Sequence, residues 1–107
     1  MVNRVMRLLV MFDLPVATPK DRKQYSQFHK YLIKSGYFMV QFSVYTRVAL
    51  NHDDARAHIK RLRSNLPPKG SVRVLQVTEK QYNAMDILVG EKTAQEDFLT
   101  PKDILEI

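Results

Sequence analysis

The sequence has no cysteine, only three glycines and no long apolar run. Without cysteine there is neither a disulfide nor a thiolate metal site. No stretch is long enough to span a membrane and no signal peptide is visible, so we expect a soluble, cytoplasmic protein. The 107 residues contain no Gly/Ser linker, which suits one compact domain with one core. So short a chain leaves little area for a deep active-site cleft. A site shared between two subunits is therefore a favoured interpretation.

Acidic residues are scarce in most of the chain. Met1–Thr78 holds fourteen Lys and Arg against four Asp and Glu, whereas Glu79–Ile107 holds three against seven. A body this basic favours a polyanionic partner, most simply nucleic acid, through long-range attraction and counterion release. The acidic end suggests a different partner or an intramolecular cover. Lysines that only keep a small domain soluble are the alternative, and they explain the asymmetry poorly.

One apolar run near the start organises the chain. Leu8–Phe12 is five consecutive apolar residues, which predicts that Arg4–Asp13 is a central strand buried on both faces. Asp13 lies at the tip of this strand, a usual place for chemistry or ion binding in layered α/β structures. Pro15 ends the strand because it has no N–H to donate, and it stiffens the loop that aims Asp13. The alternative is that Asp13 only caps the strand exit.

Two amphipathic helices are predicted. Thr18 is a helix cap and Pro19 a favoured first residue, which indicates a helix over Pro19–Lys34. The second helix covers Asn51–Leu66, with apolar side chains facing inward as far as Leu66. The lysines on the outer face of the first helix form either an ordinary solvated surface or a surface that tracks phosphates.

The remaining segments of the body predict β structure. Tyr37–Leu50 alternates aromatic and β-branched residues with period two, but it is long for a single strand. A tight reversal near Gln41–Ser43 would make it a hairpin. Ser71–Thr78 alternates in the same way and predicts a last strand.

This element order predicts an α+β fold with the ferredoxin-like β-α-β-β-α-β arrangement over residues 1–78. Both helices then cover one face of an antiparallel sheet, and the other face needs a cover of its own. Because Phe42, Tyr45 and Leu75 are available for that face, we expect a two-fold homodimer that packs sheet to sheet.

An acidic C-terminal extension, residues 79–107, remains after this domain is complete. Met85–Val89 and Ile104–Ile107 are short apolar, β-like runs within it. We expect them to be extension strands that complete a sheet in the dimer mate or in another protein. A disordered tail is the alternative, and the two apolar clusters disfavour it.

A nucleic-acid interface needs cations that contact phosphates and not base edges. Seven side chains of the first strand and the two helices are our candidates: Arg4, Arg7, Lys20, Lys23, Arg56, Lys60 and Arg63. Such a binder has no strong sequence preference, and its affinity falls steeply with salt. His29, His52 and His58 do not form a convincing catalytic set, and we assign them to structure or solvent.

Several motifs match a known family. The run VMFDLP at Val10–Pro15, the helix end HKYLIKSGY at His29–Tyr37 and the segment VQFSVYTR at Val40–Arg47 resemble the small CRISPR-associated adaptation protein. This protein is the second universal spacer-acquisition subunit, and the likeness is to the version found with single-effector (type II) systems. The resemblance covers nearly the whole chain.

The resemblance implies a ferredoxin-like homodimer that bridges integrase subunits and holds a short duplex DNA, the future spacer, across its basic surface. It also implies Mg²⁺-dependent endonuclease activity on RNA or DNA, with Asp13 as catalytic residue and metal ligand. One carboxylate per chain is few for Mg²⁺, so a shared site would need Asp13 of both copies at the dimer axis. The alternative is a ferredoxin-like RNA-binding or regulatory module without catalysis, in which Tyr45 would offer a stacking ring.

Overall fold

The computed structural model describes residues 4–91, and these form four strands and three helices. In chain order they are β1 (Met6–Asp13), α1 (Pro19–Lys34), β2 (Phe38–Gln41), β3 (Val44–Ala49), α2 (His52–Arg63), β4 (Ser71–Thr78) and α3 (Glu79–Asn83). None of the helices in this part of the chain is both long and apolar enough to cross a membrane.

The four strands form one sheet in the order β2-β3-β1-β4, and every neighbouring pair is antiparallel. β1 is central, as its apolar run predicted, and Leu9 pairs with Thr46 on one side and Leu75 on the other. The α+β class and the ferredoxin-like order of elements are confirmed.

The core lies between the sheet and the two long helices. Leu8, Val10 and Phe12 of β1 point into it and pack with Phe28 and Leu32 of α1. Burying each such side chain contributes roughly 1.5–3 kcal/mol to folding. This layer is what fixes the direction of β1 and therefore the position of its last residue.

Tyr45 lies in this core and not on the open face of the sheet. Its side chain is 2% exposed, its ring stacks on Phe12, and its hydroxyl makes a 2.5 Å hydrogen bond with Nδ1 of His29. The prediction that Tyr45 serves the open face was therefore wrong. The pairing of β2 with β3 has a register irregularity between Met39 and Gln41. A strict period of two does not predict such an irregularity, and it therefore assigns Tyr45 to the wrong face of the sheet.

The first helix begins as predicted. The Thr18 hydroxyl accepts from the Asp21 N–H at 3.0 Å, and the Asp21 carboxylate accepts from the Thr18 N–H at 3.3 Å. This reciprocal capping box satisfies two backbone donors at the helix start. The second helix is shorter than predicted because it ends at Arg63, and Leu66, expected to face inward, is 47% exposed.

The predicted reversal at Gln41–Ser43 is confirmed. Ser43 has a φ of 65°, a left-handed conformation that closes a tight turn between β2 and β3. Its carbonyl accepts from the Phe12 N–H at 3.0 Å, which ties the turn to the end of β1.

The chain folds back onto the sheet after β4, which was not predicted. α3 packs against β1 and β4, and Glu79 and Tyr82 are buried there. Part of the open face is thus covered by the chain itself, and the folded unit extends past residue 78. Met85–Val89 forms no strand in the described chain, and Ile104–Ile107 lies outside the described residues. The expected pairing of both runs with a partner stays a prediction.

Candidate functional site

Asp13 is exposed at the end of β1, directly opposite Ser71 of β4. Its backbone is held on two sides. The preceding residue, Phe12, donates to the carbonyl of Ser43, and the backbone of Gly70 packs against Asp13 from the β4 side. A Cβ added to Gly70 would lie 2.6 Å from the Asp13 carbonyl oxygen, closer than real contacts allow. The strand exit is therefore fixed by its neighbours as well as by Pro15.

The loop after Asp13 is also held in place. Leu14 is buried, and the Arg22 guanidinium donates from Nη1 to the carbonyls of Val16 at 3.1 Å and Ala17 at 3.2 Å. These bonds fold the loop back onto the first turn of α1. They are consistent with the stiff loop that the prolines predicted.

Asp13 is the only carboxylate that this strand end supplies. Among residues 4–91 there is no group of three or more His, Asp or Glu side chains able to hold a metal ion. Mg²⁺ is commonly held by one or two carboxylates, with water and substrate phosphates as the other ligands. The described part of one chain offers this minimum at the strand end, and Asp13 of a second copy could supply a second carboxylate.

Three of the predicted cations lie together on α2. Arg56, Lys60 and Arg63 are exposed and line one surface depression, which Gln76 of β4 also lines. We call these three residues the α2 cationic row. His52, at the start of α2, accepts at Nδ1 from the Gln76 amide at 3.0 Å and so links the helix to β4.

Of the other exposed candidates, Arg4 lies at the opposite end of β1 from Asp13. Arg4 precedes β1, whose eight residues alone span about 23 Å from Met6 to Asp13. Lys20 and Lys23 are exposed on α1. In one copy of the chain, the exposed candidates thus come from three different segments: the entry to β1, α1 and α2.

The prediction that Arg7 contacts phosphate was wrong. Its side chain is 1% exposed, and its guanidinium donates from Nε and Nη2 to both carboxylate oxygens of Glu79, at 2.8 and 2.5 Å. The centroid of the Tyr82 ring lies 4.2 Å from the guanidinium carbon of Arg7. Arg7 points to the open face, as a solvent-side charge would, but α3 covers it. It therefore anchors the chain after β4.

A second cluster occupies the other side of α2. His58 Nε2 lies 3.1 Å from the Asp54 carboxylate, and Arg61 donates to His58 Nδ1 at 2.5 Å. Burial and then the positive charge of Arg47 lower the pKa of His58. Burial alone would raise the pKa of Asp54, but the Leu50 N–H bond and the neighbouring His58 outweigh it and lower the pKa. The contacts of His58 are with its own fold, which agrees with its structural assignment.

Sequence reasoning missed the role of Gly70. The run Pro67-Pro68-Lys69-Gly70 signalled a turn after the second helix, and Gly70 does adopt a left-handed φ of 93°. What the run did not signal is that this turn packs on the Asp13 backbone, because that contact joins segments more than fifty residues apart.

The comparisons with known proteins agree with this geometry. A family model described as CRISPR associated protein Cas2 matches residues 6–85, which include β1 through α3. The chain belongs to the Cas2 family. A relative from Acidovorax ebreus is 53% identical over 91 residues, covering 85% of this chain and 89% of its own. One from Treponema denticola is 51% identical over 90 residues, covering 84% and 89%. Both are named CRISPR-associated endoribonuclease Cas2.

A solved Cas2 structure shares the fold. It covers 84% of this chain and 92% of its own, with a TM-score of 0.55 and 23% sequence identity. The aromatic ring that an RNA-recognition sheet would need on its open face is not supplied by Tyr45, since Tyr45 faces the helices.

Proposed function

We propose that this protein is a CRISPR spacer-acquisition subunit that binds duplex DNA through its exposed cations and bridges the integrase during spacer integration. The observation that carries the proposal is the α2 cationic row, three exposed cations on one side of one helix of a Cas2 family member. Phosphates along a duplex are regularly spaced, and a row of fixed cations releases counterions from several of them at once. Contacts of this kind position DNA without reading its sequence.

A two-fold dimer would join the separate cationic surfaces. α3 covers only part of the open face of the sheet. On the rest of this face, Leu9, Met11 and Val44 are half-buried and Leu75 is half-exposed. An apolar sheet face of this kind is suited to pack on a second copy of itself. In such a dimer the cations of both copies would present one longer track to a nucleic-acid backbone.

Duplex affinity of variants of the row tests DNA binding. We expect Arg56→Gln, Lys60→Gln and Arg63→Gln each to weaken binding of a fluorescent duplex, measured by anisotropy at low salt. Arg61→Gln is the matched control, because it removes the same charge from the same helix on the side where Arg61 contacts His58. Equal affinity of the row variants and the wild type would overturn the proposal.

A second function is favoured by the exposed Asp13 at a fixed strand exit and by the relatives named endoribonuclease. We infer a Mg²⁺-dependent endonuclease in which Asp13, with Asp13 of a second copy, holds the ion. Bound Mg²⁺ would supply an activated water and neutralise phosphate charge. The chain's own contribution is to hold the Asp13 carboxylate at the surface through Phe12 and Gly70. Asp13→Asn should abolish cleavage and leave folding and duplex affinity unchanged; cleavage that survives the change would exclude Asp13.

Reconstituted spacer integration with the cognate integrase tests the bridging role. We expect Asp13→Asn to be tolerated and removal of the C-terminal extension to abolish integration. The structure sets where to cut: ending the chain after Thr78 would remove all of α3, both the Glu79 partner of Arg7 and the Tyr82 ring that covers it. A chain ending at Glu91 keeps α3 intact. Full integration by this shorter chain would show that the extension is not needed.

A further inference from the structure

Phe42 presents an aromatic ring to solvent at the Asp13 end of the sheet. Its side chain is 79% exposed, and it is the one aromatic residue in the exposed class among residues 4–91. The residues on either side of it, Gln41 and Ser43, are polar. Exposing so much of one ring costs solvation free energy, and the ring contributes little to the core.

The ring has an aromatic neighbour on the helix layer. It stacks on Tyr25 of α1 with an interplanar angle of 20° and 6.5 Å between centroids. Tyr25 meets Phe12 edge-on at 6.0 Å, and Phe12 stacks in turn on the buried Tyr45. These contacts run from the surface to the core. The Tyr25 ring therefore lies beside Phe42, and most of the Phe42 ring is open to solvent.

The turn that carries Phe42 is fixed to the strand that carries Asp13. Ser43 holds the left-handed conformation of the turn, and its carbonyl accepts from the N–H of Phe12, the residue before Asp13. The turn that carries the open ring and the strand exit at Asp13 are thus joined at the same end of the sheet.

A nucleobase is the ligand that fits this ring. Bases stack on aromatic side chains irrespective of sequence, and the surrounding body of the protein is strongly basic, so a nucleic-acid strand is attracted to it. A protein partner needs roughly 800 Å² of surface per side, whereas a single ring flanked by polar residues offers about 150–250 Å² at most. Inside a duplex the bases stack on each other, so the ring can take an unpaired base but not an internal base pair.

We propose that Phe42, backed by Tyr25, is a stacking platform for an unpaired base of the bound nucleic acid. The inference rests on the proposed nucleic-acid-binding function. It adds that the protein binds unpaired nucleotides at the end of its sheet where Asp13 lies. Phosphate contacts of the α2 cationic row are separate from it, since that row lies beside β4.

Short oligonucleotides containing 2-aminopurine test the platform, because stacking on a ring quenches their fluorescence. Single-stranded RNA, single-stranded DNA and the same DNA in a full duplex are titrated with wild type, Phe42→Leu and Phe42→Trp. Leu50→Ala is the matched control, since it alters a half-exposed apolar side chain at the other end of β3. Sedimentation equilibrium of each variant reports on self-association.

We expect Phe42→Leu to weaken single-strand binding by about 5- to 100-fold and to lose the quenching, while duplex affinity is unchanged. Phe42→Trp and Leu50→Ala should bind like the wild type. The RNA and DNA arms show which strand is preferred. If Phe42→Leu binds single strands as tightly as the wild type does, and duplex binding is normal, the stacking platform is excluded while the proposed function stands. An altered dimer constant with equal losses for all nucleic acids would make Phe42 a protein contact and also overturn it. Failure of the wild type to bind any nucleic acid would overturn the proposed function itself.

Discussion

The close approach of Gly70 to Asp13 makes Gly70→Ala a sensitive test of the strand exit. Gly70 has a φ of 93°, and a Cβ there would lie 2.6 Å from the Asp13 carbonyl oxygen and 2.7 Å from Leu14 Cδ2. The first of these atoms is backbone and cannot rotate away. Gly90 is the matched control because its φ is 101° and no atom of residues 4–91 lies within 4 Å of its Cβ position. Both substitutions force alanine into a left-handed conformation, but only one creates an overlap.

The expected losses of stability follow from the left-handed backbone conformation, which both sites share, and from the steric overlap, which only Gly70 has. A left-handed alanine costs roughly 1–2 kcal/mol, and loss of glycine's freedom in the unfolded chain returns about 0.4–1 kcal/mol. Gly90→Ala should therefore lower the free energy of unfolding by about 0–1.6 kcal/mol. Overpacking at Gly70 adds about 1–3 kcal/mol, since the Asp13 and Leu14 backbone must move.

Urea unfolding followed by circular dichroism measures both free energies. We expect Gly70→Ala to be less stable than Gly90→Ala by about 1–3 kcal/mol, or to melt at least about 4 °C lower. Amide NMR shifts at Asp13 and Leu14 should change in the first variant only. Equal stability of the two variants would refute the close packing that we hold responsible for aiming Asp13.

Three further predictions follow from buried groups. Arg7→Ala should lower the free energy of unfolding by about 3–5 kcal/mol because it leaves the Glu79 carboxylate buried and unpaired; a loss under 1 kcal/mol in urea unfolding would contradict the buried pair. Burial raises the pKa of Tyr37 to about 12, and its hydroxyl has no partner among the described residues. Tyr37→Phe should therefore increase the free energy of unfolding by about 1 kcal/mol, and a decrease would reveal a missed hydrogen bond. The pKa of His58 is lower in the folded state than its ordinary 6.5, so the unfolded state binds more protons and stability should fall as pH drops from about 7.5 to about 5.5. His58→Gln should show a smaller fall over that range, and an equal fall would exclude His58 as its source.

The sequence allowed the fold to be predicted where signals were local. The apolar run of β1, the Thr18 cap and the alternation of β4 each depend on neighbours within a few residues, and all three were correct. α3 had a local signal as well. Thr78 and Gln81 form a capping box, a pattern visible in the sequence, but the interpretation of everything after residue 78 as an extension obscured it.

The errors concern side chains whose environment is set by distant segments. Arg7 alternates along β1 like a solvent-facing residue, and only its partner Glu79, 72 residues away, makes it a buried charge. Tyr45 was placed on the wrong face because the position of the turn and the register of the hairpin decide which side of the sheet each residue occupies. Asp13 needed no such information, since its place at the strand end followed from the run before it.

The salt dependence of duplex affinity tests the central claim of nucleic-acid binding most directly. Fluorescence anisotropy of one duplex is measured across a series of monovalent salt concentrations. A surface that neutralises several phosphates predicts that log K falls linearly with log salt, by about 0.9 for each phosphate contacted. The slope should become shallower when the α2 cationic row is replaced by Gln. An affinity that does not change with salt would contradict the account.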